Sequence, residues 1–320
     1  MKTKIIIIFT LILMFIISGC TGFSRDRAAS TVDTEFHKGT QGLDMRFVKN
    51  NPPSLVYDYE GTTNQQEVTV MVELRNKGAF DISSGKLYLS GFDRSIIKDI
   101  SESAIDFNIE GKSRFNSEGG FDVITLTSDK AGTVDLTDFL GVDSIQQKMI
   151  VHACYNYETT AAPVVCIDPD PYREVGEKAC KSNDLITGVS GGQGAPLIIT
   201  KVEEEMAPGK VFFKIHVSKS GPGTVVGIFN DCPFDVKYKD IGDILSYTIT
   251  ANTLGATSTN SGDCEPSKLK LIDGKGVIYC NFDATTDGSA YKTPLNIKLE
   301  YGYMDSVSKQ IEIRSTASPN

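Results

Sequence analysis

The sequence predicts an all-β protein made of two tandem immunoglobulin-like antiparallel β-sandwiches. Apolar and polar residues alternate over short stretches, as in Leu43, Met45 and Phe47, and such alternation is typical of half-buried strands. Turn signals rich in Gly, Pro, Asn and Asp separate these stretches, and no long segment has helical periodicity. Short alternating strands between frequent turns favour a sandwich or a barrel.

The first predicted sandwich covers residues 42–168. After a strand at Leu43 to Phe47 it contains a turn at Asn76-Lys77-Gly78 and a short helix at Arg94 to Ile100. The last two of its strands form a hairpin about a loop centred on Thr160. The further predicted strands are Val68 to Leu74, Lys86 to Leu89, Ala104 to Ile109, Phe121 to Leu126, Lys148 to Tyr157 and Pro163 to Asp168.

A linker is predicted over residues 169–194. Asp168-Pro169-Asp170-Pro171 ends a strand, and Gly191-Gly192-Gln193-Gly194 has linker composition. The latter lacks the Lys-Ser/Thr ending of a phosphate-binding loop. One or two helical turns are expected at Tyr172 to Lys181.

The second predicted sandwich, residues 195–315, repeats the first, and a tail follows at 316–320. Val211, Phe213, Ile215 and Val217 alternate as Val68, Val70, Val72 and Leu74 do, and Gly221 follows as Gly78 does, 143 residues later. Tyr155-Asn156-Tyr157 matches Tyr301-Gly302-Tyr303 at a shift of 146 residues. Matches in the same order favour tandem copies of one fold. The further predicted strands are Ile244 to Ala251, Lys268 to Ile272, Gly276 to Phe282, Leu295 to Tyr303 and Val307 to Arg314, with a hairpin turn at Asp273-Gly274.

The N-terminus has the pattern of an export signal. Lys2 and Lys4 precede an apolar run from Ile5 to Ile17, which is broken only by Thr10 and is too short to span a bilayer. Ile17-Ser18-Gly19-Cys20 then resembles the lipobox of secreted lipoproteins. The resemblance implies a signal peptide at 1–20, a lipid on Cys20 and a flexible tether at 21–41; an ordinary secretory signal is the alternative.

The strand-Asn-x-Gly turns within residues 68–82 and 211–225, together with the signal, resemble immunoglobulin-like surface modules. Among these are the cell-adhesion-related (CARDB-type) domains of prokaryotic envelope proteins. The resemblance implies adhesion, interaction or scaffolding at the cell surface and provides no functional residues. The formal charge of −9 argues against nucleic acid as a partner. The expected partners are the membrane, through the lipid on Cys20, and an envelope or extracellular protein or polymer.

The six cysteines other than Cys20 are predicted to form three disulfides, since an even number in an exported chain favours disulfides. Cys154 and Cys166 are equidistant from the centre of the predicted hairpin and would face each other across it. The Asp273-Gly274 hairpin would bring together Cys264 and Cys280. By exclusion, Cys180 would then bond Cys232.

The sequence contains no pattern typical of a catalytic site, and we expect neither a cofactor nor enzyme activity. Its only histidines are His37, His152 and His216, and no Ser lies in a nucleophile-elbow motif. Asp168 and Asp170, or Glu203-Glu204-Glu205, are weak Ca²⁺ candidates. Two alternatives to an interaction module remain: an envelope receptor for a solute, which usually needs α/β lobes, and an envelope hydrolase with paired carboxylates.

Overall fold

Strand pairing accounts for the regular structure in the computed structural model. The model describes residues 36–59, 66–101, 103–127, 131–139, 141–172, 176–181, 189, 192–230, 232, 244–251, 256–259, 264–284 and 289–316. None of these residues is helical, so this part of the chain provides no helix that could cross a membrane. The short helix expected at 94–100 is wrong, because that stretch forms a turn followed by two strand residues. Of the helical turns expected at Tyr172 to Lys181, the described residues are not helical, and 173–175 lie outside the described residues.

The strands of the N-terminal half run from residue 43 to residue 167. They are β1 (Leu43–Phe47), β2 (Leu55–Asp58), β3 (Glu67–Val68), β4 (Met71–Asn76), β5 (Ile82–Ser90), β6 (Ile97–Lys98), β7 (Ile105–Ile109), β8 (Phe121–Thr125), β9 (Gly132–Val134), β10 (Ser144–Ala161) and β11 (Val164–Ile167).

The strands of the C-terminal half run from residue 197 to residue 315. They are β12 (Leu197–Ala207), β13 (Lys210–Lys219), β14 (Thr224–Val226), β15 (Ile244–Ala251), β16 (Ala256–Thr259), β17 (Cys264–Glu265), β18 (Leu269–Lys270), β19 (Lys275–Asp283), β20 (Tyr291–Pro294) and β21 (Asn296–Ser315).

The largest sheet has a strand order that is symmetric about its centre. In this central sheet the order is β16-β15-β21-β10-β5-β7, with β2, β14 and β18 attached beside the path. Its middle pair is antiparallel from Ser144 opposite Arg314 to Ala161 opposite Ile297. Asn156 lies opposite Gly302, and these are the central residues of the two matching Tyr-x-Tyr motifs. Each half therefore contributes three strands in the same order, outward from this point.

A smaller sheet in each half repeats the same correspondence. The N-terminal sheet has the order β1-β4-β8, and the C-terminal sheet has the order β12-β13-β19-β17. Leu43 pairs with Asn76 as Leu197 pairs with Lys219, and Arg75 pairs with Phe121 as Ser218 pairs with Lys275. The middle strands are thus related by 143 residues and both flanking strands by 154.

Four buried tyrosines from the Tyr-x-Tyr motifs, which we call the tyrosine cluster, join the small sheets to the central sheet. The hydroxyl of Tyr157 accepts the Phe80 N–H at 3.2 Å, and that of Tyr303 accepts the Gly223 N–H at 2.8 Å, again 143 residues on. The Tyr155 hydroxyl accepts the Leu43 N–H at 3.2 Å. The members are Tyr155, Tyr157, Tyr301 and Tyr303, and burial raises the pKa of each phenol.

The repeated glycines are explained by this cluster. A Cβ on Gly78 would collide with the Tyr157 hydroxyl, and one on Gly221 would collide with the Tyr303 hydroxyl. Gly is therefore needed at both positions because the tyrosine approaches the main chain closely.

The two halves are not separate bodies joined by a linker. Strands β10 and β21 pair along their whole overlap, and the chain from Phe36 onward groups into one unit. The expectation of independent sandwiches on either side of 169–194 therefore needs correction, because a shared sheet leaves no gap at the proposed boundary.

Two predicted hairpins are also wrong. β11 pairs with β20 and not with β10, which lies between β5 and β21. The predicted strands ending at Tyr303 and beginning at Val307 are one continuous strand of 20 residues. The Asp273-Gly274 turn is confirmed: both residues have positive φ, and Ile272 and Lys275 exchange two backbone hydrogen bonds.

All six cysteines form disulfides, but only one predicted pairing is correct. Cys264 bonds Cys280, as predicted, and the two residues lie opposite each other on β17 and β19. The other bonds are Cys154–Cys232, with a Cα–Cα distance of 6.1 Å, and Cys166–Cys180, with a Cα–Cα distance of 5.9 Å. The predicted Cys154–Cys166 and Cys180–Cys232 bonds depended on a β10–β11 hairpin that does not form. Three disulfides indicate a chain that folds in an oxidising, extracytoplasmic compartment.

Candidate functional site

The β12–β13 hairpin extends beyond the part that the two halves share. It turns tightly at Pro208-Gly209, and Gly209 has a φ of 75°, which favours glycine. In the N-terminal half the corresponding connection, residues 48–70, leaves the sheet, and its strand β2 pairs with β21. The additional turn of the hairpin gives the C-terminal sheet an outer surface that the N-terminal sheet lacks.

A groove of about 710 Å³ crosses this outer surface. Its floor is the backbone of Glu204, Phe213 and Cys280, which lie side by side on β12, β13 and β19 with side chains turned inward. Because strand residues alternate between faces, the neighbours of these three point outward on both sides of the floor. One row consists of Glu203, Lys214, Tyr279 and Glu265, and the other consists of Glu205, Phe212 and Asn281.

Glu203 is the centre of an ion-pair network at one wall of the groove. Its carboxylate contacts Lys201 at 2.5 Å, His216 Nε2 at 2.9 Å and Lys214 at 3.3 Å. The hydrogen bond from Lys201 lowers the pKa of Glu203 to about 2, with smaller effects from Lys214 and His216. Burial, assisted by the charge on Lys201, lowers the pKa of His216. At neutral pH Glu203 is therefore ionised.

Two aromatic side chains lie on opposite sides of the floor. Tyr279 is 55% exposed although it lies in the middle of a strand, and Lys214 Nζ is 5.8 Å from its ring centroid. Phe212 lies diagonally across from Tyr279 in the other row and is half-buried. Large exposed aromatic surface on a sheet face often marks a contact site.

Glu204 connects the groove to a smaller cavity beneath the sheet. Its side chain is buried, and its Oε2 accepts the Cys166 N–H at 3.2 Å. It also lines a cavity of about 210 Å³ next to the Cys166–Cys180 disulfide. The Glu203-Glu204-Glu205 run is thus not a common cation site, because alternation directs the middle carboxylate to the opposite face.

The weak Ca²⁺ candidates Asp168 and Asp170 face a lysine instead. Lys178 Nζ donates to Asp168 Oδ2 at 2.6 Å and to the Asp170 carbonyl oxygen at 2.7 Å. The ammonium group therefore occupies the position where a cation would bind. Within the described ranges, no group of three or more His, Cys, Asp and Glu residues is arranged to hold a metal ion.

The three histidines occupy unrelated positions. His37 packs on the Phe80 ring at 5.3 Å, and His216 belongs to the Glu203 network. His152 stacks on Tyr88 at 4.4 Å, with its Nε2 2.8 Å from Ser90 Oγ. Burial lowers the pKa of His152, which makes it neutral at pH 7.

The groove residues were absent from the sequence-based candidates, except for the glutamate run. Tyr279 could have been noticed as a Tyr on the polar side of the alternating strand at Gly276 to Phe282. Its partners on β12, β13 and β17 are set by strand register, which the sequence does not give. Cys20 lies outside the described residues, so its lipidation remains a prediction.

Comparisons with known proteins do not place the chain in a family. No family model matches it, and no curated protein matches it. Among solved structures it is similar to a crystal structure of red sea bream transglutaminase, at 8% identity and a TM-score of 0.19. That match covers 88% of this chain, which spans about a third (32%) of the transglutaminase chain. A likeness at this TM-score carries no argument about fold or activity.

Proposed function

We propose that this protein is a lipid-anchored, extracytoplasmic interaction module whose contact surface is the groove across the C-terminal sheet. The observation that carries the proposal is the groove itself, with an exposed Tyr279 and a rigid floor on a disulfide-linked strand pair. The volume of about 710 Å³ is within the range of ligand sites in proteins. Adhesion or scaffolding at the envelope fits the export pattern ending at Cys20.

The anchor is tested by Cys20→Ser. We expect the variant to leave the membrane fraction or to accumulate as unprocessed precursor, because the acyl chains are the proposed attachment. Partition of the variant into detergent at the wild-type level would contradict lipidation at Cys20.

The contact surface is tested by site-specific photo-crosslinking in intact cells. A photoreactive residue at position 279 should capture envelope material, whereas one at position 121 should not. Phe121 is the matched control because it is 52% exposed, lies on the third strand of the other small sheet and has a cation, Arg75, 5.1 Å from its ring centroid. Equal capture from both positions, or none from position 279, would refute the groove as the contact surface.

Convergent carboxylates favour a hydrolase as the second candidate. Glu203, Glu205 and Glu265 all line the groove, as an envelope hydrolase with paired acids would require. One partner in such a pair must hold a proton as general acid, and Glu203, with a pKa of about 2, does not. Release of reducing ends from a polysaccharide, abolished by Glu205→Gln or Glu265→Gln, would assign hydrolysis to the groove.

The solute-receptor alternative has less support. Such receptors usually bind their solutes between α/β lobes, and the part of the chain described here has no helix.

A further inference from the structure

The charge and shape of the groove indicate which class of ligand it can hold. This inference rests on the proposed function, because it takes the groove to be the contact surface. The groove crosses four neighbouring strands, which corresponds to a length of about 14 Å at the usual strand spacing. It therefore fits a short piece of an extended chain better than a compact solute.

Anionic ligands are disfavoured by the charge of the lining. Four glutamates and one lysine line the groove: Glu203, Glu204, Glu205, Glu265 and Lys214. A phosphate, sulfate or carboxylate placed there would meet like charges at close range. Nucleic acid and acidic polymers are excluded on the same ground.

Cationic ligands are disfavoured by the cations already present. Glu203 is already engaged by Lys201, Lys214 and His216. Lys214 also lies beside the Tyr279 ring, where a ligand cation would otherwise bind. A basic peptide would have to displace these contacts.

Neutral polyhydroxyl chains match what remains. Carboxylates such as Glu205 and Glu265 accept strong hydrogen bonds from hydroxyl groups, and the Asn281 amide both donates and accepts. Phe212 and Tyr279 present apolar surface to the C–H faces of sugar rings. The geometry points to a neutral oligosaccharide, bound across β12, β13, β19 and β17, as the ligand of this groove.

Calorimetric titration of the purified full chain tests the assignment. The probes are cellohexaose, maltohexaose and N-acetylchitohexaose, opposed by hexalysine, a neutral twelve-residue peptide and a sulfated heparin hexasaccharide. At least one neutral hexasaccharide should bind with a Kd below about 1 mM. Tyr279→Ala should weaken this binding about 10-fold, and Phe121→Ala should not change it.

The controls separate failure of the ligand class from failure of the site. Tyr279→Phe keeps the ring and should retain most of the affinity, and circular dichroism should show that each variant is folded. Binding of none of the neutral hexasaccharides, preferential binding of any opposing probe, or equal loss in Phe121→Ala overturns the inference. If crosslinking at position 279 captures only protein, the proposed function stands and the oligosaccharide assignment is wrong.

Discussion

The N-terminal and C-terminal small sheets share strand order and register but expose different edges and surfaces. At the shifts that relate them, the groove residues Lys214 and Tyr279 correspond to Met71 and Thr125, which also face each other. The N-terminal sheet thus has no charged and aromatic row at this place. Two copies of one scaffold can therefore diverge in function through hairpin length and outward-facing residues while the buried tyrosines stay the same.

The outer edges of the two sheets differ as well. β19 is covered by β17, which is held there by the Cys264–Cys280 disulfide. Its counterpart β8 has no strand on its outer side among the described residues. Asp122 instead accepts the N–H of Val123 at 2.8 Å. An open edge strand invites pairing with another chain, and a charged side chain on that edge opposes it.

The largest effect is expected at alkaline pH, where the shared tyrosine cluster should fail. The folded-state pKa of each of the four phenols is raised, so the stabilisation is complete below the usual pKa of about 10 and is lost as pH rises above it. Each tyrosine should reduce the free energy of unfolding by about 1.4 kcal/mol per pH unit there, or about 5 kcal/mol for four. Denaturant unfolding between pH 9 and 11 would measure this slope.

Tyr157→Phe and Tyr303→Phe sharpen the comparison of the two halves. Each should reduce the slope by the same amount if the halves are equivalent. A slope that changes for only one variant would show that the cluster is not symmetric in its energetics.

The next largest effect is expected on removing the disulfide that covers the β19 edge. Replacing Cys264 and Cys280 by Ala opens a loop of sequence separation 16 and should cost about 3 kcal/mol of unfolding free energy. The matched control replaces Cys166 and Cys180, at a separation of 14, with a similar cost. Only the first pair should reduce crosslinking from position 279, because Cys280 belongs to the groove floor. Equal loss in both would contradict this.

Glycine substitutions should distinguish the two halves at the tyrosine cluster. Gly78→Ala and Gly221→Ala should each lose about 1–3 kcal/mol of unfolding free energy through overpacking. Tyr303→Phe should partly rescue Gly221→Ala, because the other contacts of that Cβ would lie at 3.1 Å or more. Tyr157→Phe should not rescue Gly78→Ala, because the Gly194 carbonyl oxygen would still lie 2.5 Å away. Chemical denaturation of the four variants gives the result, and rescue in both halves would refute the distinction.

The smallest effect is expected at the open edge. Asp122→Ala should change the unfolding free energy by less than about 0.5 kcal/mol, as surface substitutions usually do. It should increase self-association at high concentration, since it leaves the Val123 N–H available on an unpaired edge. Sedimentation velocity measures this, with Asp283→Ala, which also removes one exposed carboxylate, as control. Equal association in the two variants would attribute the effect to charge alone.

Local pattern was sufficient for most strands and for their inward faces. Val211, Phe213, Ile215 and Val217 are all buried, as their alternation predicts, because the side-chain period of a strand is a property of the backbone. The match between the two Tyr-x-Tyr motifs located the centre of the molecule, with Asn156 opposite Gly302. The Asp273-Gly274 turn was predictable because positive φ at two successive residues restricts the residue types.

Strand partners were decided only by the tertiary structure. The same alternation in β10 is compatible with a hairpin to β11 or with a long pairing to β21, and the sequence does not distinguish between them. The pairing to β21 buries both Tyr-x-Tyr motifs in one cluster, and it separates Cys154 from Cys166. The groove depends on the same choice of partners, because Glu203, Lys214, Tyr279 and Glu265 form a row only through the register of four strands. Faces follow from local geometry, whereas neighbours follow from which apolar surfaces the whole chain can bury together.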